Sequence, residues 1–282
     1  MLRYLILLLS VGLIFPLMSQ TPLYKIKLAD NTLEEIVKRN SSIVISSANG
    51  KKSVTAYEYA DCKSLKEVII EEGIEIIEEY AFLGCEDLKS IKLPSTLKKI
   101  GEGAFRECYS LQRLEIPVGV KVIPAYMCEW DENLEEVKLP ETIVEISRGA
   151  FAYCYKLQNV ELPKRLTHIG PNAFSYCKSL KEVSVPDSMQ ELESYAFSGC
   201  ENLKEAKLPS NSHMLGELIF TGCDRLEEIK CMSPKPPAFD CDSPLFDPLE
   251  EKLWDQCVLK VPSRSKRLYL KAPGWNLFKK IN

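Results

Sequence analysis

Histidine is scarce in this chain, and phosphate-binding loops are missing from it. Only two of the 282 residues are histidines, His168 and His213, and neither belongs to a cysteine, serine or metal-ligand spacing. A nucleophile–base pair or a zinc centre therefore has nothing to build on, and no glycine-rich stretch forms a phosphate loop. We predict no catalytic residues, no metal site and no cofactor, and we expect His168 at the surface.

A basic excess is also missing. The chain has 36 Lys and Arg against 40 Asp and Glu, which gives a formal net charge of −4. Nucleic-acid binding requires a basic patch or stripe, so no nucleic-acid partner is expected. With so many carboxylates, chance acidic pairs are unavoidable, and a hydrolase with a carboxylate pair remains a remote third hypothesis. None of these carboxylates lies in an apolar stretch that would favour such chemistry.

No apolar run is long enough to favour a membrane span over a signal peptide. The longest one extends from Leu5 to Phe15 and follows the positive charge of Arg3. A spanning helix needs about 18 or more apolar residues, whereas a short run followed by small residues near Ser19 is typical of a secretory signal peptide. We predict that residues 1–19 are removed, that no stable membrane span remains, and that the mature protein is secreted or at the cell surface. An uncleaved anchor is the alternative.

What the chain does contain is a repeat of 23 residues. A cysteine returns at this interval, and only the fourth position of the column differs. The column consists of Cys62, Cys85, Cys108, Asp131, Cys154, Cys177, Cys200 and Cys223. Each cysteine is followed by Leu-x-x-Val-x-Leu-Pro or a variant of it, then in several coils by an apolar pair such as Leu97/Ile100. Five of the seven cysteines are preceded by Ala-Phe, as in Ala104-Phe105. The count predicts eight coils.

A fixed period of this length predicts a solenoid, because one coil cannot bury its apolar side until a neighbour stacks on it. A strand–helix–strand unit needs about 30 residues, so each coil has room for one short strand and a tight return. We therefore predict a mainly β repeat solenoid with one parallel β-sheet face. At about 4.8 Å between strands, eight coils form a slab about 35 to 40 Å long.

The period, the Leu-x-x-Val-x-Leu core and the Ala-Phe-x-x-Cys-x-x-Leu consensus resemble the BspA-type leucine-rich repeats of bacterial surface and secreted proteins, including Bacteroides-type ones. The resemblance covers roughly residues 56–232. It implies a leucine-rich repeat fold and binding to host matrix or to other cells.

Short caps are expected at both ends of the solenoid. In the N-terminal cap, residues 20–55, a capped helical turn is predicted around Leu33 and a strand at Ile43–Ile45. In the C-terminal cap, residues 233–282, we predict a final strand that ends at Val261, followed by Trp275 and Phe278, which are large enough to shield the last coil.

The cysteine column is predicted to be a row of buried thiols. Residues one coil apart stand about 4.8 Å from each other with parallel Cβ vectors, whereas a disulfide needs Cβ atoms about 3.5–4.5 Å apart. Among the cysteines outside the column, Cys231 and Cys257 flank successive strands and are the best candidates for a bridge. Disulfides within the column remain the alternative.

Two outward columns of the sheet can be predicted from strand alternation. The first contains Ile69, Lys92, Glu115, Lys138, Glu161, Ser184, Lys207 and Lys230, and the second contains Glu67, Ser90, Arg113, Glu136, Asn159, Glu182, Glu205 and Glu228. Neither contains an aromatic residue, so this face lacks the residue types that usually supply binding energy, apart from one Arg. We expect a solvated face whose charges largely neutralise each other.

The turn before the strand is the more informative surface. Trp130, Tyr153 and Tyr176 occupy the position before the cysteine column in three consecutive coils, and Tyr109 and Tyr155 lie close by. Adjacent exposed aromatic rings can contact a sugar or anchor a protein, so we hypothesise that these five residues form a ligand-binding patch. The alternative is that the rings lean inward and cover the turn.

The function predicted from these features is non-enzymatic ligand binding or adhesion outside the cytoplasm. The expected partner is a protein or glycan of a host or a neighbouring cell, recognised through solenoid surfaces. A structural scaffold or spacer in the cell envelope is the alternative, and a self-neutralised sheet face would favour it.

Overall fold

The coils stack so that their short strands form two columns of parallel β-strands, the first and the second ladder. A computed structural model describes residues 41–211, 214–239, 245–247 and 251–282. The predicted signal peptide and the predicted helical turn at Leu33 lie outside these residues, as do His213 and Cys241. In the part that is described, no helix is long and apolar enough to cross a membrane.

The first ladder is formed by the predicted strand column. Its strands are β1 (Ser42–Ile45), β3 (Glu67–Ile70), β5 (Ser90–Lys92), β7 (Arg113–Glu115), β9 (Glu136–Lys138), β12 (Glu182–Ser184), β14 (Glu205–Leu208), β16 (Glu228–Cys231), β18 (Val258–Lys260) and β19 (Lys280–Ile281). They pair in parallel within three sheets, β1-β3-β5, β7-β9 and β12-β14-β16-β18-β19, and Val68 lies opposite Ile91, one repeat along the chain. The solenoid fold is thus confirmed, and the stacking continues beyond the eight predicted coils at both ends.

A second ladder lies where the sequence predicted only a tight return. Its strands are β2 (Ser53–Val54), β4 (Ile76–Ile77), β6 (Lys99–Ile100), β8 (Val122–Ile123), β10 (Glu145–Ile146), β11 (His168–Ile169), β13 (Glu191–Leu192), β15 (Met214–Leu215) and β17 (Ala238–Phe239). Each strand is two residues long, with one side chain outside and one inside. Two residues are too few to show the alternation of apolar and polar side chains that predicts a strand. The sequence therefore did not predict a strand in the return.

The first ladder is interrupted in the fifth coil. Residues 159–162 form no strand, and Asn159 makes only an isolated bridge to Glu136. Asparagine is depleted in strands, which accounts for the weak pairing. A notch of about 610 Å³ opens here, lined by Arg113, Glu136, Asn159 and Glu161 among others.

The interior consists of columns of identical side chains. Phe151, Phe174, Phe197 and Phe220 stack with ring centroids 5.3 to 5.9 Å apart. The predicted row of buried thiols is confirmed, because all seven cysteines of the column are buried and none of them is in a disulfide. Their thiols mostly donate to carbonyl groups of the preceding coil, as Cys177 Sγ does to Phe151 O at 3.2 Å. The predicted Cys231–Cys257 bridge is wrong: both are free, and Cys231 Sγ lies 3.2 Å from Tyr269 Oη.

The ends of the solenoid extend the first ladder. The predicted strand at Ile43–Ile45 is confirmed within β1, which pairs with β3, and a short 3-10 helix follows at Ala48–Gly50. The strand predicted to end at Val261 is present as β18, which pairs with β16, but it is not the last strand, because β19 follows it and pairs with it.

The C-terminal segment also contains helices α1 (Glu251–Gln256) and α2 (Lys266–Tyr269) and a 3-10 turn at Trp275–Leu277. Trp275 is fully buried and Phe278 is 3% exposed, as expected of residues that shield the last coil. The indole N–H of Trp275 donates to Pro237 O at 2.8 Å, which ties the segment to the end of the repeat.

The outward columns of the first ladder point to solvent as predicted. Arg113 lies 3.7 Å from Glu136, and Lys230 Nζ lies 3.1 Å from Glu205 and 3.0 Å from Glu228. Exposed ion pairs of this kind add little stability, usually below about 1 kcal/mol. They do balance part of the charge of this face.

Candidate functional site

Each coil turns a corner just before the buried cysteine column, at a residue with left-handed backbone geometry. The φ angles at this position lie between +59° and +72°. The residues are Asp61, Gly84, Glu107, Trp130, Tyr153, Tyr176, Gly199 and Gly222. Glycine adopts this geometry freely, whereas a bulky side chain there is an outlier. The three aromatic residues are therefore strained, at a cost of about 1 kcal/mol or more each.

Hydrogen bonds between successive coils fix the backbone of this corner. In the fourth coil, alternate N–H groups of residues 126–130 donate to alternate carbonyls of residues 148–152, with N···O distances of 2.8 to 2.9 Å. The fifth and sixth coils repeat the pattern at 153 and 176. Side chains at equivalent positions are consequently held one coil apart.

At this spacing the three aromatic rings stack. The ring centroids of Trp130 and Tyr153 are 3.9 Å apart with the planes at 1°, and those of Tyr153 and Tyr176 are 4.9 Å apart at 5°. Tyr155 stands edge-on to both Trp130 and Tyr153, at 6.2 and 6.4 Å. Lys178 Nζ lies 5.5 Å from the Tyr155 centroid, within the range of a cation–π contact. We call Trp130, Tyr153, Tyr155 and Tyr176 the aromatic edge.

The stacking covers ring faces and leaves ring rims accessible. Trp130 and Tyr176 cover the two faces of Tyr153, and the outer face of Tyr176 lies over Gly199, where an added Cβ would come within 2.7 Å of the ring. All four rings are half-buried. Burial raises the pKa of Tyr153 to about 12, so its hydroxyl stays neutral. A sugar that stacks needs a free ring face, so Tyr153 and Tyr176 offer rims and hydroxyl groups instead.

Tyr109 is the fifth residue of the predicted patch. It occupies the column of Tyr155 two coils earlier, with Glu132 between them, and it is half-buried. Its carbonyl oxygen accepts a hydrogen bond from Asn133 Nδ2 at 2.6 Å. The structure therefore places Tyr109 one coil before Trp130, while the ring contacts given above join the other four residues.

A half-buried ion pair adjoins the aromatic edge, and the sequence interpretation missed it. Arg106 Nε lies 2.8 Å from Glu129 Oε2, and the guanidinium lies 5.9 Å from the Tyr126 centroid. Burial raises the pKa of Glu129, and Arg106 opposes the shift. Arg106 and Glu129 are one repeat apart in the sequence. Opposite charges at equivalent positions of successive coils could therefore have predicted this ion pair.

Asp131 takes the cysteine position of the fourth coil and is fully buried. Its Oδ1 accepts a hydrogen bond from the Cys108 N–H at 2.8 Å, while Oδ2 has no hydrogen-bond partner among the described residues. Burial raises the pKa of this carboxyl well above its usual value. Asp131 therefore contradicts the expectation that no carboxylate lies in an apolar setting, and it lies directly beneath the corner that carries Trp130.

His168 is half-buried and has partners that the sequence interpretation did not give it. Its Nδ1 lies 2.9 Å from Glu191 Oε2, and its Nε2 lies 3.0 Å from Glu193 Oε1. Glu191 follows His168 by one repeat and lies opposite it in the second ladder. A search for metal ligands separated by only a few residues does not detect a pair that is 23 residues apart.

Comparison with known families gives a match over most of the repeat. The model for the BspA type leucine rich repeat region matches in six copies, over residues 52–147 and 121–235. Together these spans cover more than half of the chain. A comparison with curated proteins found no match.

The same fold occurs in solved structures of other bacterial proteins. A leucine-rich repeat protein from Bacteroides ovatus is 25% identical with a TM-score of 0.54; the match covers 78% of this chain and 66% of that one. A leucine rich cell surface protein from Faecalibacterium prausnitzii is 21% identical with a TM-score of 0.50, over 86% of this chain and 78% of that one. These similarities show the fold, and neither protein is described as an enzyme.

Proposed function

Since the chain belongs to the BspA-type leucine-rich repeat family, we propose that it is a non-enzymatic binding or adhesion protein that acts outside the cytoplasm. Its partner is a protein or glycan of a host or neighbouring cell, and the aromatic edge is the contact surface. The observation that carries this proposal is the presence of three stacked aromatic residues at strained corner positions.

The corner backbone does not need these side chains. Gly84, Gly199 and Gly222 occupy the same position in other coils without strain. Rings that cost free energy and lie half in solvent favour a role other than folding. Tyr and Trp are the residues that most often dominate binding energy at protein interfaces.

The ring geometry favours a protein partner over a stacked sugar. Ring rims and neutral tyrosine hydroxyls suit an apolar pocket with hydrogen-bond acceptors, and Lys178 adds a positive charge beside Tyr155. An extracytoplasmic site of action is supported by the predicted signal peptide, and the similar protein from Faecalibacterium prausnitzii is described as a cell surface protein.

A triple glycine variant tests the proposal. Trp130→Gly, Tyr153→Gly and Tyr176→Gly remove the rings but keep a backbone that Gly199 already adopts. Labelled mature chain is applied to cultured epithelial cells, immobilised matrix proteins and a glycan array. We expect saturable binding of the unchanged chain to at least one of the protein-bearing surfaces, and its loss in the triple variant.

Matched controls separate a lost surface from a damaged fold. Tyr57→Gly and Tyr195→Gly remove half-buried tyrosines from the other left-handed corner, where φ is +56° and +60°. These controls should bind like the unchanged chain. Binding by the triple variant at full affinity, with its fold intact by circular dichroism, would refute the aromatic edge as the contact surface.

The alternative is a structural scaffold in the cell envelope. It is favoured by the ion pairs of the outward columns, such as Arg113 with Glu136, which leave fewer unpaired charges on that face. Cell fractionation together with the binding assays separates the two hypotheses. Tight association with the envelope and no binding to any cell, matrix protein or glycan would support the scaffold and count against adhesion.

A further inference from the structure

One cluster outside the aromatic edge has the composition of a metal site. His168, Glu191 and Glu193 each offer one ligand atom, and these atoms lie within 4.8 Å of one another. The cluster lies on the second ladder. His168 is on strand β11, Glu191 is on strand β13, and Glu193 is the residue after β13. We propose that these three side chains bind a divalent transition-metal ion of the Zn²⁺ type.

The fold holds the three ligands on fixed backbone. His168 lies opposite Glu191 in the parallel register, and the N–H of Glu193 donates to Ile169 O at 3.0 Å. Ile169 and Leu192, between the ligand residues, are buried in the core. The two carboxylates contact opposite ring nitrogens of His168, so an ion bound at one nitrogen requires the glutamate at the other nitrogen to swing towards it.

The charges of the cluster are unbalanced. Glu145 on β10 lies opposite His168 on its other side in the ladder, and its Oε1 accepts a hydrogen bond from Ser147 Oγ at 2.7 Å. In the described part of the chain, no Lys or Arg forms an ion pair with Glu145 or with either glutamate of the cluster. Val122 on β8 and Met214 on β15 occupy the equivalent position in the coils on either side of these residues, and neither carries a charge. A divalent cation would offset this negative charge more fully than a protonated imidazole does.

The donor atoms indicate which ion would bind. Imidazole nitrogen with carboxylate oxygen is a ligand set that Zn²⁺ accepts, whereas Ca²⁺ and Mg²⁺ prefer oxygen alone. His168 is 26% exposed and both carboxylates are more exposed, so water can complete the coordination. A three-ligand site with an open position can also accept a donor from a partner molecule.

The same contacts have a simpler explanation, which the test must separate from the proposal. A protonated His168 held between two carboxylates would stabilise the surface without any metal. A metal ion and a proton compete for the same ring-nitrogen lone pair, so the two explanations exclude each other at that nitrogen. Only the metal site predicts saturable binding of an added ion.

Isothermal titration of the full mature chain with ZnCl₂ at pH 7.5 tests the proposal, with MgCl₂ and CaCl₂ as comparisons. We expect one Zn²⁺ per chain, no binding of Mg²⁺ or Ca²⁺, and affinity reduced by roughly tenfold or more in His168→Ala. Glu182→Ala, an exposed carboxylate of the first ladder, should leave Zn²⁺ binding unchanged.

Imidazole NMR signals provide a second measurement. The chain contains two histidines, so the spectrum of His213→Ala identifies the signals of His168. Zn²⁺ should shift the ring signals of His168. The proposal is overturned if the unchanged chain binds no Zn²⁺, or if His168→Ala binds it equally well. A His168→Ala variant of reduced stability in a protein that binds no Zn²⁺ would assign the cluster to the protonated clamp.

Discussion

The fourth and fifth coils differ in the interior at the same repeat positions, whereas the outer corner differs between other coils. Inside, the fifth coil has Ala150-Phe151, and the fourth has Met127-Cys128; all four residues are buried. Met127 is larger than Ala150, and Cys128 is smaller than Phe151. The two changes offset each other, so the total side-chain volume in the core stays roughly the same. Packing alone accounts for this exchange.

At the corner, the difference is of another kind. The second, seventh and eighth coils have glycine where the fourth to sixth coils have aromatic residues with the same left-handed φ. No core volume is conserved by these rings, which stack on one another at the surface. The comparison teaches that interior irregularities reflect packing, whereas core packing does not account for the aromatic residues at this corner.

Removing an interior ring should have the largest effect. Phe174 is fully buried between Phe151 and Phe197, with centroids 5.3 Å from each. We expect Phe174→Ala to lower the free energy of unfolding by about 3–5 kcal/mol, because it leaves a cavity in a continuous stack. Urea denaturation followed by circular dichroism measures the change.

The fourth coil supplies the control for this variant. The pair Ala173→Met with Phe174→Cys copies the arrangement of residues 127 and 128 into the sixth coil. It should recover about 1 kcal/mol or more relative to Phe174→Cys alone, because the longer side chain refills the space. If the pair is no more stable than the single variant, volume compensation does not explain the fourth coil.

Asp131 should give the next largest effect, and its sign depends on pH. Burial raises its pKa, so above about pH 4 the unfolded chain releases the proton while the folded chain retains it. The free energy of unfolding therefore falls as the pH rises from about 4 towards the raised pKa. Asp131→Asn keeps an oxygen acceptor for the Cys108 N–H and cannot ionise.

We expect Asp131→Asn to be more stable than the unchanged chain at pH 7 by about 1–3 kcal/mol, and the advantage to shrink towards pH 4. Urea denaturation of both proteins between pH 4 and 8 measures the difference, in which the titration of all other groups largely cancels. An advantage that stays constant over this range would show that Asp131 does not titrate as its burial requires.

Much of the fold could be predicted because the period fixes it. The 23-residue interval sets the register of the first ladder, and identical residues in one column must stack, so the buried thiols followed from spacing. The second ladder could not be predicted, since a strand of two residues such as Lys99–Ile100 shows no alternation. The gap at Asn159 was hidden because its coil keeps the full apolar skeleton.

The site was predictable only in part. Column spacing identified Trp130, Tyr153 and Tyr176 as neighbours, but the way their rings face each other depends on a left-handed backbone that the residue types do not indicate. The His168 cluster was missed for a different reason. Ligand motifs are usually sought within a few residues, whereas in a solenoid the residue one repeat away is the nearest neighbour.

The smallest effect on stability is expected at the corner. Tyr176→Gly loses a stacking contact with Tyr153 at 4.9 Å, worth about 0.5–1.5 kcal/mol, and relieves backbone strain of about 1 kcal/mol. These terms oppose each other, so the free energy of unfolding should change by less than about 1 kcal/mol, against about 3–5 kcal/mol for Phe174→Ala in the same coil. Urea denaturation of the two variants side by side makes the comparison. If Tyr176→Gly were as destabilising as Phe174→Ala, the ring would belong to the core, and the strained corner would no longer favour a binding role. A small change combined with loss of partner binding is the result that separates a surface kept for recognition from a surface kept for folding.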